Sequence, residues 1–188
     1  HFIPQIAESL TMAKKRGLNI PVVYNCGGYE SVDALKMLSG LIDVYMPDLK
    51  YFDDKYARKY SNAPNYFEVA TRAIDEMFSQ VGKNQFDGDG MMMRGVIVRH
   101  MMLPGLLFDS KKVIDYLYEK YGDDIYLSIM SQYTPMPWVL EYPEINRKVT
   151  EEYYNALVDY AVEKGVRNAY IQDGESAKES FIPEFYKE

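Results

Sequence analysis

The chain has 188 residues, 47% of them apolar, which is enough to bury a full core and too apolar for a disordered segment. A formal charge of −7 without any Lys/Arg cluster excludes a phosphate-backbone binder, and every uninterrupted apolar run falls well short of the roughly 18 residues that span a bilayer. A single cytoplasmic domain over residues 1–188 is expected, in which the one cysteine, Cys26, builds neither a disulfide framework nor a cysteine-based metal site by itself.

Along the chain, the spacing predicts a helix over 3–16, with Ile6, Leu10 and Ala13 on one face and Gly17 closing it. A strand over 20–25 follows, then a helix over 31–38 with Asp33 in its first turn, and a strand over 41–46. A short helix over 53–60 precedes a long one over 64–81, whose inward positions are Phe67, Ala70, Ile74, Met77, Phe78 and Val81, with Gly82 at its end. Residues 83–90, with Asp87-Gly88-Asp89-Gly90, read as a turn-rich loop. Further strands are predicted over 93–101, 125–130 and 168–172, separated by helices over 110–121 and 150–164. Alternating strands and helices imply right-handed crossovers and a parallel sheet. Five countable strands fit an open α/β layer or a parallel-stranded partial (β/α) barrel of about five βα units, since a closed eight-stranded barrel takes about 250 residues.

Buried parallel strands are apolar almost throughout, so an ion at a strand end is paired, solvated in a cleft or used. The 41–46 run breaks off into Pro47-Asp48-Leu49-Lys50, and Gly95-Val96-Ile97-Val98 breaks off into Arg99-His100. Asp48 and Lys50, two apart, point to one side of an extended segment, either to hold one polar ligand together or to pair with each other. Arg99 suits carboxylate or hydroxyl recognition through its planar fork, or a salt bridge at the rim of the sheet. His100, one residue on, faces the helices as a structural histidine. Asn25-Cys26-Gly27-Gly28 ends another strand, where two glycines let a ligand or another backbone come close, or simply form a turn. Gln132-Tyr133-Thr134 opens a proline-rich loop holding Trp138, the only tryptophan. The 11 methionines and 18 tyrosines read as core and surface filling. Donors and acceptors from four successive strand ends thus gather on one face, suited to a polar ligand that the residues alone do not name.

Five stretches, in one order along the chain, carry a resemblance. They are Val22-Val23-Tyr24-Asn25-Cys26-Gly27-Gly28-Tyr29-Glu30, Val44-Tyr45-Met46-Pro47-Asp48-Leu49-Lys50-Tyr51-Phe52, Lys59-Tyr60-Ser61-Asn62-Ala63-Pro64, residues 94–105, and Met130-Ser131-Gln132-Tyr133-Thr134-Pro135. The most specific part is Gly95-Val96-Ile97-Val98-Arg99-His100 with Leu103-Pro104-Gly105. The set resembles the carboxyl-terminal part of a radical S-adenosylmethionine enzyme of the pyruvate formate-lyase activating type, among its largely uncharacterised iron-sulfur relatives.

The resemblance implies a TIM-barrel-like partial barrel, with a 4Fe-4S cluster held by three cysteines spaced C-x3-C-x2-C. It also implies reductive cleavage of S-adenosylmethionine to a 5′-deoxyadenosyl radical that abstracts hydrogen. Gly27-Gly28-Tyr29-Glu30 differs from the family's Gly-Gly-Glu segment by the inserted Tyr29 and its later strand. The chain also opens on His1, with Pro4 as a first-turn proline and no strand ahead of it, so the cluster segment is expected upstream and the chain alone is expected to be inactive. By the resemblance, Asp48 and Lys50 match an Asp-x-Lys strand end that meets the nucleotide's polar groups and nearby substrate. Arg99 matches the arginine near the methionyl carboxylate and ribose, Asn25 falls where related enzymes carry an aspartate, and Gln132 or Tyr133 falls where they carry an adenine-side histidine. A glycyl-radical enzyme or another protein substrate is the implied partner, and self-association is expected through the unpaired edge of the 20–25 strand. The residues alone leave two other readings open, a Schiff-base aldolase using Lys50 with Asp48 as proton shuttle, and a non-catalytic binding module.

Overall fold

The computed structural model describes residues 2–171. Helix α1 (Ile3–Lys15) carries proline in its first turn and Lys14 and Lys15 in its last, both favourable for the helix ends. Then come β1 (Val23–Cys26), α2 (Val32–Lys36), β2 (Val44–Pro47), α3 (Asp54–Ser61), α4 (Tyr66–Val81), β3 (Gln85–Phe86), β4 (Met92–Met101), α5 (Leu107–Tyr121), β5 (Tyr126–Met130), α6 (Glu151–Lys164) and β6 (Ala169–Ile171). Strands β1, β2, β4, β5 and β6 lie side by side in that order, each parallel to its neighbour, with helices between them. This is the alternating parallel architecture of a partial (β/α) barrel.

Strand β2 begins at Val44 rather than at residue 41 and α5 at Leu107 rather than at residue 110, and two further differences from the sequence reading have local reasons. The first strand begins at Val23 rather than at residue 20, because Pro21 has no N–H and the N–H of Val22 donates to the Asp43 carboxylate at 2.8 Å. The 83–90 loop contains β3, an antiparallel partner of β4. Asp87 makes that hairpin, its Oδ1 accepting from the N–H groups of Asp89 and Met91 at 3.0 and 2.8 Å. The predicted Gln172 end of the last strand lies outside the described residues.

Side chains alternate across β4 as a pleated strand requires. Val96, Val98 and His100 are buried, whereas Ile97, Arg99 and Met101 are half-buried on the other face. Strand β5 repeats the pattern, with Leu127 and Ile129 buried. The buried face packs with Leu35, Ile74, Met77, Ile114, Leu117 and Leu157 from the surrounding helices in one core. Gly95 adopts φ +145°, and a β-carbon there would stand 2.2 Å from Asn84 Oδ1, the atom that accepts from the Val96 N–H. Among the described strands β1 has a neighbour on one side only, and Val23 on it is 53% exposed.

Candidate functional site

Strand β2 ends at Pro47, and the chain beyond it divides its backbone bonds between two neighbours. The Asp48 N–H donates to Cys26 O of β1 at 3.0 Å, while the Leu49 N–H donates to Arg99 O of β4 at 2.9 Å. Asp48 thereby stands beside Arg99 across the sheet. Gly28 fits against this joint. Its φ is +79°, and an added β-carbon would lie 2.0 Å from the Asp48 carbonyl oxygen, so the close approach anticipated for the glycine pair is to another backbone.

The Asp48 side chain, almost buried, is held by two cations. Arg99 Nε and Nη2 both reach Oδ1, at 2.8 and 2.6 Å, and Lys50 Nζ stands 3.4 Å from Oδ2. The two carboxylate oxygens are unequal: Oδ1 takes a double, charge-assisted contact, while Oδ2 has a single long one.

Tyr66, at the start of α4, braces the segment. Its hydroxyl donates to Asp48 O at 3.3 Å and accepts from the Lys50 N–H at 3.0 Å. Its ring stacks on Tyr29 at 5.9 Å and meets Tyr51 edge-on at 5.5 Å. Burial pushes the Tyr66 phenol well above its ordinary range, so it remains protonated. Asp109, in the first turn of α5, fixes the next residues by accepting from the N–H groups of Phe52 and Asp53, both at 2.9 Å. His100 is 2% exposed and turned away from Arg99, with Nδ1 2.7 Å from Leu49 O. Burial lowers its pKa, so the neutral ring donates that bond.

Beside this cluster, beyond the ends of β4 and β5, opens a cleft of about 400 Å³. Lys50 and Tyr51 form one wall, Gln132, Tyr133 and Thr134 another, and Trp138 stands over it from the following loop. Tyr51 pairs with Ser61 at 2.9 Å, and Tyr60 donates to Glu144 at 2.8 Å, so both phenols on the α3 side already have partners. The Tyr133 hydroxyl is closed off from the cleft and has no partner among the described residues.

Of the residues singled out from the sequence, the structure joins Asp48, Lys50 and Arg99 in one ion cluster, and Lys50, Gln132 and Tyr133 on one cleft. Arg99 forms the rim salt bridge that the sequence left open as its second role. Asn25 is exposed on β1, opposite Met46, and takes part in none of the cluster's bonds. Lys50 is ion-paired with a third of its side chain exposed, unlike the unpaired amine in an apolar pocket that a Schiff-base lysine requires. Tyr66 was not picked out by sequence reasoning, yet counting back four from the buried Ala70 reaches it, on the stripe continued by Ile74 and Met77. Cys26, at the end of β1, has its thiol pushed up to about 12, chiefly by burial. Among the described residues no group of three or more His, Cys, Asp or Glu could hold a metal ion, and a single cysteine cannot supply three thiolates. No helix among them is long and apolar enough to cross a membrane.

No protein-family model matches the sequence. The chain is 30% identical over 161 residues to the uncharacterized protein MJ0674 of Methanocaldococcus jannaschii, a match covering 84% of this chain and 43% of that protein. It therefore spans less than half the length of that curated relative. In structure it is similar to a domain of pyruvate-formate lyase-activating enzyme from Bacteroides vulgatus, with a TM-score of 0.62 over 91% of each chain. At 12% identity this likeness shows the fold alone.

Proposed function

We propose that the chain is the nucleotide-contacting part of a radical S-adenosylmethionine protein. The observation that carries the reading is Asp48, held at the exit of β2 by Arg99 and Lys50 beside the cleft. Its Oδ2, with only the long contact to Lys50, has lone pairs left for a ribose hydroxyl or an ammonium group. Arg99 aims the carboxylate through its double contact, and with Lys50 presents the donors that a methionyl carboxylate would meet. Bound reductively cleaved S-adenosylmethionine supplies hydrogen abstraction in such proteins; what this chain's residues do is grip and orient the nucleotide.

The iron-sulfur cluster does not fit this chain, whose one cysteine is part-buried at a strand end, and no step is derived through it. We place the cluster ligands of the whole protein outside these 188 residues, and its radical target, a glycyl-radical enzyme or another substrate, belongs to the same proposal. Calorimetric titration with S-adenosylmethionine tests the reading. Saturable binding is expected, weakened about tenfold or more by Asp48→Asn, which keeps an acceptor for Arg99 but removes the charge. Absence of binding, or equal binding by Asp48→Asn, overturns it.

A further inference from the structure

We propose that the cleft beside the ion cluster is a separate pocket for a small aryl carboxylate, with the acid on Lys50 and the ring between Tyr51, Tyr60 and Trp138. This deepens the reading above by naming a substrate class, and rests on that reading for the ligand's role; binding itself is tested independently. A volume of about 400 Å³ is ligand-sized, and the wall is largely aromatic and thioether, with Met101 and Met136 joining the rings. Lys50 is the one formally charged side chain among the described lining residues. Its partner Asp48 is gripped by Arg99 through two short contacts, whereas the Lys50 contact is 3.4 Å, so the ammonium can turn to an incoming carboxylate without leaving Asp48 unpaired. An arriving acid therefore meets a lysine ammonium against walls that reward an apolar ring.

The hydroxyl inventory narrows the ligand further. The Tyr51 and Tyr60 hydroxyls are engaged by Ser61 and Glu144, and Glu144 is itself ion-paired with Lys59, so these tyrosines offer their rings.

The test titrates the 188-residue chain with 3-phenylpropionate by calorimetry, with Trp138 emission reporting occupancy of the cleft. Saturable binding is expected, at least about tenfold tighter than for the corresponding alcohol, which lacks the charge, or for hexanoate, which lacks the ring. Lys50→Met should abolish the preference for acid over alcohol and Lys50→Arg restore it. Saturating 5′-deoxyadenosine should leave the aryl acid bound. No saturable binding, equal affinity for acid and alcohol, or displacement by 5′-deoxyadenosine overturns the proposal, the last by giving the cleft to the nucleotide. Aryl-acid binding without any S-adenosylmethionine binding overturns only the function proposed above, and the converse overturns only this inference.

Discussion

At the scale of single residues, Arg99 and His100 show how one step along a strand separates two chemistries. Arg99 reaches Asp48 on the half-open face, whereas His100 turns into the core and donates to Leu49 O. Because burial lowers the His100 pKa below 6.5, the unfolded chain binds a proton between that value and the folded one that the native state refuses. The stability due to this group is thus complete above pH 6.5 and falls as the pH drops below it, by up to about 1.4 kcal/mol per unit. Urea unfolding of wild type and His100→Gln should show this slope in their difference; parallel pH profiles would mean that His100 titrates alike in both states. The opposite facing of the two residues was legible in the sequence, because alternation along a strand requires it. That Arg99 takes the Asp48 carboxylate was open, since a strand end presents an arginine equally to a ligand or to a neighbouring strand. Gly28 was legible as a point of close approach, but only the fold brings the Asp48 carbonyl to it.

The regular elements were readable where burial imposes a period and less so where a side chain replaces a ladder bond. Strand β4 and helix α4 follow their apolar patterns, whereas β3 is two exposed residues held by the Asp87 turn and has no pattern to read. Likewise, nothing in the spacing of Asp109 announces that it binds the backbone after Lys50, 57 residues away from Phe52 in sequence. The edge position of β1 follows from the order of strands, and an edge leaves a row of donors and acceptors unpaired. Amide exchange at low chain concentration should find Val23–Cys26 less protected than the residues 97–99 between β2 and β5. Equal protection in the dilute monomer would show that the edge is covered within the chain; protection that rises with concentration would mark a second copy as its cover.

For the whole molecule, one face of the parallel sheet lies under helices while residues such as Ile97, Met101 and Met130 on the other remain half-buried. Parallel sheets normally bury both faces, so this half-open face is where a partial barrel differs physically from a closed one. The ion cluster and the cleft lie at the carboxyl ends of its strands, where α/β proteins gather binding groups. The opposite end offers a smaller polar hollow lined by Lys14, Asn19 and Asp43. A titration of the labelled chain with S-adenosylhomocysteine, followed by amide chemical shifts, therefore separates the two ends directly. Saturable shifts are predicted at residues 47–50 and 98–100. Shifts confined to the surroundings of Lys14 and Asp43, or none that saturate, would contradict a nucleotide site at Asp48.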